Sequence, residues 1–331
     1  MSKSININQK IAIIGCGYWG TILVNSLINI GFKNIFVHDK NLKNVKILKK
    51  KFKNIRFVKK YKELLNNSEI KIFFFATPPS KSYLLVEKAI KKNKNIFVEK
   101  PGFKKISDFK KIIKLNNKFN NILMFGYIYC YHDHINYIKN IINKNILGKI
   151  LYIKLQRQNL GPIRNDVNSS FDLASHDLSI LFNFFGKMPK LINHIQYPIL
   201  KKGISDISNL HLKIGKIYVD VNTSWLNPLK IRTLTIIGKK KMLQFDELNL
   251  KNPVKIFNKY AKYPNLSKFD KKFLKSKAKI YLGNSKNVKI KVNSPLENEL
   301  KNFFTSIQKR VKPKTDVKFA YNIVKFLDRI N

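Results

Sequence analysis

The sequence is short of acid. Its 331 residues carry 19 Asp and Glu against 65 Lys and Arg, a formal net charge of +46. A surplus of that size suggests nucleic acid or an anionic membrane surface as partner. The distribution argues against both. Lysine is spread through helix faces, turns and tails, often beside asparagine and isoleucine, with no arginine cluster or aromatic RNA-binding motif among them. A chain-wide lysine bias of the kind an AT-rich genome imposes accounts for this. No dedicated nucleic-acid partner is therefore expected, although the field favours anionic ligands. Cysteine is scarce too. Cys16 and Cys130 allow at most one bridge, and Cys16 sits in a glycine-rich turn, so both read as free thiols of a reducing compartment. No Cys or His spacing fits zinc, so no metal is expected. Long apolar runs are missing. The most apolar short stretch, Ile72 to Ala76, is five residues long and suits a buried strand. The N-terminus has no apolar signal-peptide core, which leaves a cytoplasmic location and no membrane partner as the expectation. Internal repeats and low-complexity linkers are also missing.

What is present is core material, 44% hydrophobic and 12% aromatic, enough for two domains of ordinary size. Up to residue 126, short apolar strands near 11–15, 34–39, 55–58, 70–76, 96–99 and 122–126 alternate with helical stretches. That order predicts a parallel sheet covered on both faces. Beyond it, a helix over 134–142, a strand over 149–156, a Gly/Pro/Asn-rich loop over 159–170 and a helix over 173–185 precede a run of strands with hairpins at Gly215 and Gly238. Helices over 296–306 and 317–328 close the chain. The expected fold is α/β in residues 1–126, followed in residues 127–331 by an α+β domain with a large, mostly antiparallel sheet. The last helices are candidates to pack back on the first domain.

IAIIGCGYWG places Gly15, Gly17 and Gly20 in G-x-G-x-x-G spacing between a strand and a helix, with Tyr18 and Trp19 inside the loop. This is the context of a Rossmann dinucleotide-binding domain. Gly15 would make the turn, Gly17 would admit a pyrophosphate, and Gly20 would let helix and strand pack closely. The plainer reading is a structural turn. Asp39 ends the second strand, where a carboxylate can bind a ribose 2′-hydroxyl; this favours NAD over NADP, although Lys40 and Lys43 are nearby. Thr77 and Pro78 stand at another strand exit, on the crevice edge of such a sheet. Glu99 and Lys100 end the strand IFVEK and face the same crevice, unless they are a local ion-pair partner and a solvated turn lysine.

FDLASHDLSI sets Asp172, His176 and Ser179 on one side of a helix, with Asp177 off that face. Histidine suits proton transfer near neutral pH, and a lysine beside the same oxygen stabilises alkoxide character. Asp172 either orients the imidazole or holds a substrate hydroxyl. The plainer alternative makes Asp172 a helix cap and His176 a core histidine.

GCGYWG, ATPP, EKPG and FDLASHDLSI, in that order, resemble the glucose–fructose oxidoreductase/inositol dehydrogenase family, Gfo/Idh/MocA, over essentially the whole chain. The resemblance implies a nicotinamide cofactor on the first domain and oligomerisation, as a homodimer or homotetramer, through the open face of the second sheet. It implies that Lys100, Asp172 and His176 contact the reacting carbinol or carbonyl, with His176 as acid/base assisted by Lys100. RQNLGPIRNDVNSS resembles a subgroup tied to nucleotide sugars and surface polysaccharides, which implies phosphate or sugar contacts for Arg157, Arg164, Asn165 and Asn168. Two arginines together are unusual in so lysine-heavy a chain, and a guanidinium suits bidentate diphosphate binding. The chain departs from the family pattern at Phe171 (tryptophan in the subgroup), Ser82 and Tyr127 (histidine in many members), and Tyr127 is expected at the substrate rim. A ring hydroxyl or keto group of a nucleotide-linked sugar is the implied reacting group. A free sugar or polyol dehydrogenase and a non-catalytic dinucleotide sensor are the alternatives.

Overall fold

The computed structural model describes residues 5–165, 167–263 and 277–330. The chain divides into two compact units, one of residues 1–132 with 293–328 and the other of 133–292 with 329–331.

The first unit opens with β1 (Lys10–Ile14), α1 (Tyr18–Ile30), β2 (Ile35–His38), α2 (Leu42–Lys51), β3 (Ile55–Phe57) and α3 (Tyr61–Asn66). It continues through β4 (Ile70–Phe75), α4 (Pro79–Lys91), β5 (Asn95–Glu99), α5 (Ile106–Asn116) and β6 (Leu123–Gly126). The strands run parallel in the order β3-β2-β1-β4-β5-β6. That is the doubly wound order whose strand C-termini line a ligand crevice. Continuous burial of Ile72 to Phe75 and of Ile96 to Val98 is what a sheet covered on both faces requires. Helix α2 lies where the sequence showed no helical pattern: its buried side chains are only Val45 and Leu48, among lysines.

The second unit holds α6 (Asp133–Asn143), β7 (Ile150–Leu160), α7 (Ser175–Phe185) and the strands β8 (Lys190–Tyr197), β9 (Ile207–Ile214) and β10 (Ile217–Ser224). Then come β11 (Leu226–Gly238), β12 (Met242–Asp246), β13 (Val254–Lys262) and β14 (Lys279–Val288). The sheet order is β14-β13-β12-β11-β7-β10-β9-β8. Every described pairing is antiparallel except β7 with β10. One face is apolar, with Ile153, Leu155, Leu210, Leu212, Val219, Val221, Leu234 and Ile236 buried. The alternate residues are polar. Tyr152 donates to Asp220 at 2.6 Å, His211 meets the same carboxylate at 2.9 Å, and Gln158, Asn222 and Asn209 form a ladder across three strands.

The chain returns to the first unit for α8 (Pro295–Lys309) and α9 (Val317–Asp328). Phe303 and Phe304 of α8 meet Phe74 and Phe32, the latter stacked at 4.7 Å. Each such buried ring stabilises by roughly 1.5–3 kcal/mol. No described helix is long and apolar enough to cross a membrane, and both cysteines are buried and outside any disulfide.

Candidate functional site

In the first unit the strand ends bring Gly15, Asp39, Thr77, Glu99, Lys100 and Gly126 to one edge of the sheet. The three loop glycines do different work. Gly15 has φ +101°, and a Cβ there would stand 2.5 Å from the Ala76 carbonyl oxygen. A Cβ on Gly20 would stand 1.9 Å from the Gly15 carbonyl oxygen. Both are demanded by packing. A Cβ on Gly17 would meet nothing within 4 Å. Gly17 is the N-cap of α1, with no capping side chain and no acid in the first turn. The first N–H groups of α1 are thus not satisfied by a side-chain cap and carry the positive end of the helix dipole, which is the chemistry that holds a diphosphate. Tyr18 is 78% exposed, with the half-buried Trp19 ring edge-on to it at 5.9 Å.

Asp39 stitches the cradle to α2. Its Oδ2 accepts from the Cys16 backbone N–H at 2.7 Å and from Asn44 Nδ2 at 3.2 Å; its Oδ1 accepts from the Asn41 N–H at 2.8 Å. A carboxylate offers about four acceptor sites, so one remains, on Oδ1, for a further donor such as a ribose hydroxyl. Burial and the Asp39 charge push the Cys16 thiol up to about 12, which keeps it protonated and unreactive. At the exit of β4, Thr77 Oγ1 and Ser82 Oγ lie 2.8 Å apart, and Ser82 Oγ also donates towards the carbonyls of Thr77 and Pro78. The buried serine therefore shapes the turn into α4, with Pro78 exposed and Thr77 half-buried.

Glu99 and Lys100 follow at the end of β5, both at intermediate exposure. Protein packed around the Glu99 carboxyl pushes its pKa up to about 7, against the opposing pull of the Lys100 charge and a backbone N–H. The structure does not bring Tyr127 to an open rim. It is fully buried, its ring edge-on to Phe319 at 5.4 Å, and its hydroxyl has no hydrogen-bond partner.

In the second unit, Asp172 lies in a π-helical turn, Ser170–Ala174, and His176 in the first turn of α7. Residues 173–175 and 177–181 are buried, whereas Asp172 and His176 are half-buried. These two polar groups are the accessible ones on a helix start that is otherwise enclosed. Ser179 is buried, and its hydroxyl donates to the His176 carbonyl at 2.6 Å. Asn168 anchors the preceding loop: its Oδ1 accepts the Ser205 N–H at 2.8 Å and its carbonyl accepts the Asp172 N–H at 3.1 Å. Arg164 is half-buried and Asn165 exposed on that loop.

Arg157 has a different setting. Its guanidinium grips Asp177, Nη2 to Oδ1 at 2.8 Å and Nε to Oδ1 at 3.1 Å, with 5% and 2% of the two residues exposed. Burial pushes the Asp177 carboxyl up, and Arg157 opposes that. The pair ties β7 to the start of α7 and so braces the backbone that carries His176. Arg232 supports the same strand, donating to the Gln158 carbonyl at 2.8 Å and to Asn159 Oδ1 at 2.5 Å. Asp177 and Arg232 were not singled out from the sequence. The signal for Asp177 was available, since an aspartate off the open face of a buried helix needs a cationic partner.

A relative from Streptococcus pneumoniae, an uncharacterized oxidoreductase, is 25% identical over 149 residues, which are 45% of this chain and 40% of that protein. The chain thus spans less than half the length of that relative. Solved structures align over nearly the whole chain. The UDP-N-acetylglucosamine 3-dehydrogenase GnnA from Acidithiobacillus ferrooxidans has a TM-score of 0.75 at 16% identity, covering 98% of this chain and 96% of its own. The aldose-aldose oxidoreductase from Caulobacter crescentus has a TM-score of 0.78 at 14% identity, with the same 98% and 96% coverage. A 3-ketoreductase from Actinomadura kijaniata, solved with NADP, has a TM-score of 0.77 at 10% identity, covering 97% and 96%. At such identities the likeness is one of fold. The model of the Gfo/Idh/MocA oxidoreductases with an NAD-binding Rossmann fold matches residues 9–127. The glycine loop and the β3-β2-β1-β4-β5-β6 order agree with this match, which covers the Rossmann part of the first unit.

Proposed function

We propose that this oxidoreductase is an NAD(P)-dependent dehydrogenase or reductase acting on a ring hydroxyl or keto group of a sugar, with a nucleotide-linked sugar as substrate. The observation that carries the reading is the glycine cradle, open at Gly17 and closed by packing at Gly15 and Gly20, at the start of a helix with no side-chain cap. A nicotinamide cofactor supplies hydride acceptance or donation when bound. Gly15, Gly17, Tyr18, Trp19 and Gly20 would hold its diphosphate end and Asp39 its ribose. Thr77, Pro78, Glu99 and Lys100 would line its path along the strand exits. The acceptor site left on Asp39 Oδ1 favours NAD, because a 2′-phosphate would meet a carboxylate there.

His176 takes the hydroxyl proton in oxidation and returns it in reduction, because its imidazole is accessible at a helix start that is otherwise buried. Asp172 holds a substrate hydroxyl or orients the imidazole. Lys100 supplies the cation for charge that develops on the reacting oxygen. Arg164, Asn165 and Asn168, on one loop, are the candidate contacts to the sugar or diphosphate, with Arg157 bracing α7 through Asp177. The nucleotide-sugar assignment draws on the fold likeness to a UDP-N-acetylglucosamine 3-dehydrogenase. Free sugars are the second reading, favoured by the equal likeness to an aldose-aldose oxidoreductase. A homo-oligomer is the expected assembly. The edge strand β14 exposes Ile280 at 68% and Leu282 at 79%, and such an edge calls for cover.

The test is a screen of the purified protein, at fixed salt, with NAD and NADP against UDP- and dTDP-linked sugars and free polyols, following reduced-nicotinamide absorbance. Turnover of a sugar nucleotide supports the reading. Turnover of free sugars alone replaces the substrate class, and cofactor binding without turnover of any sugar rejects the enzyme.

A further inference from the structure

Helix α8 buries Leu296, Glu299, Leu300, Phe303 and Phe304, the spacing of a single apolar stripe. Glu299 is the exception in chemistry. It is 1% exposed, and its Oε1 has no hydrogen-bond partner. A leucine would suit the stripe, whereas an unsatisfied buried polar group costs about 1–3 kcal/mol. A glutamate at such a position calls for another reason.

The reason lies at Gly126 and Tyr127. The β5–β6 register pairs Glu99 with Gly126. A Cβ on Gly126 would stand 3.1 Å from Glu99 Oε2, so the absent side chain leaves the room that carboxyl uses. The next backbone N–H, of Tyr127, donates to the Phe125 carbonyl at 3.0 Å and also draws on the Glu299 carboxyl, and Phe303, one turn beyond Glu299, packs its ring 5.8 Å from Phe97, two residues before Glu99. Two consecutive residues thus draw two carboxyls together, and Lys100 is the neighbour of one of them. The other groups facing the pair are the phenols of Tyr127 and Tyr131 and the Cys130 thiol. Tyr131 is occupied by Thr315, 2.9 Å away, and by Asn302, 3.2 Å away. Lys314 donates to the Cys130 carbonyl and stands over the Tyr131 ring, 5.5 Å from its centre.

We propose that Glu99 and the buried Glu299 form a carboxyl pair carrying a single negative charge at neutral pH, and that Glu299 is a positioning residue which sets the charge state of Glu99 beside Lys100. The inference deepens the reading of Lys100 given above. Two like charges so placed do not both ionise. Lys100 favours the anion on Glu99. Burial and the Glu99 charge keep the proton on Glu299. The neutral carboxyl of Glu299 then presents a dipole that supports the Glu99 anion, which a leucine could not do. The Glu99 anion in turn holds the Lys100 ammonium at the strand exit.

Two variants separate this from a merely structural glutamate. Glu299→Gln keeps the neutral dipole and the size, and Glu299→Leu supplies the hydrophobe the stripe would take. Circular dichroism and melting first establish that both fold. Carbon-13 NMR of the glutamate carboxyls in the cofactor-free protein then reads the ionisation directly, with no need of a substrate. The expected result is two glutamate carboxyls titrating above the ordinary range in the parent protein, and a single such carboxyl, that of Glu99, in either variant. Glu299→Leu should raise the proton affinity of Glu99 roughly tenfold and move the acid limb of the kcat profile to higher pH. Glu299→Gln should stay closer to the parent in both. Two carboxyls titrating in the ordinary glutamate range, or a Glu299→Leu protein with an unmoved Glu99 titration, overturns the pair. If no sugar is turned over, the NMR titration still decides the pair while the proposed activity fails separately.

Discussion

The first unit makes its candidate cofactor cradle mostly from backbone, and the second makes its candidate acid/base pair from two side chains on an enclosed helix. The difference sets how each can fail. At Gly15 and Gly20 a side chain cannot be accommodated, because backbone oxygens stand 2.5 and 1.9 Å from where a Cβ would lie. At Asp172 and His176 the candidate site rests on which side chains stay accessible and on what braces the helix. In the second unit that brace is the buried Arg157–Asp177 pair. A backbone site is therefore broken by adding atoms and a side-chain site by removing them.

The largest effects should follow removal. His176→Ala should lower kcat by about 10²- to 10⁴-fold while leaving NAD affinity unchanged, since the imidazole is assigned to substrate. Steady-state kinetics beside a binding titration checks this, and near-normal kcat would transfer the acid/base role to another group. Arg157→Met should leave Asp177 buried without its partner, at a cost of roughly 3–5 kcal/mol in stability. Denaturant melting measures that loss. A variant as stable as its parent, with a raised KM for sugar nucleotide alone, would instead make Arg157 a substrate contact. Adding atoms comes next. Gly20→Ala should destabilise the fold by about 1–3 kcal/mol or more of overpacking, read as a lower melting temperature, because the obstructing atom is backbone.

A smaller effect concerns pH. The ordinary value for glutamate is 4.5, and in the folded protein Glu99 is raised to about 7. A group raised on folding contributes stability that is fully present below its unfolded value and lost as pH rises through the folded one. Stability of the parent should therefore decline from about pH 4.5 to about 7 through this group, and Glu99→Gln should flatten that decline. An unchanged slope in melting temperature against pH would remove Glu99 from the account.

The two units also differ in how far the sequence exposed them. G-x-G-x-x-G between a strand and a helix has a backbone meaning that survives any composition, so the loop, the alternating strands and the sheet class were legible. Helix α2 was not, because a lysine-rich segment with Val45 and Leu48 as its buried contacts carries almost no periodic signal. Strand β7 runs on to Leu160, into what reads as a Gly/Pro/Asn-rich loop, because β11 and β10 supply its hydrogen bonds. The π turn at Ser170–Ala174 has no sequence signature. Tyr127 shows the limit of position within a motif: it follows Gly126 at a strand end, yet the packing of Phe319 and its neighbours encloses it. Glu299 was readable in principle, as a charged residue in the stripe of Leu296, Leu300, Phe303 and Phe304.

The division of labour between the units is tested most directly by the NAD dissociation constant of three proteins under one set of conditions: the parent, Gly17→Val and His176→Ala. Gly17→Val adds atoms in open space, so the fold should be kept while NAD binding is lost or weakened at least tenfold. His176→Ala should bind NAD as the parent does. Equal NAD affinity in parent and Gly17→Val would contradict the cradle, and with it the cofactor on which the proposed chemistry depends.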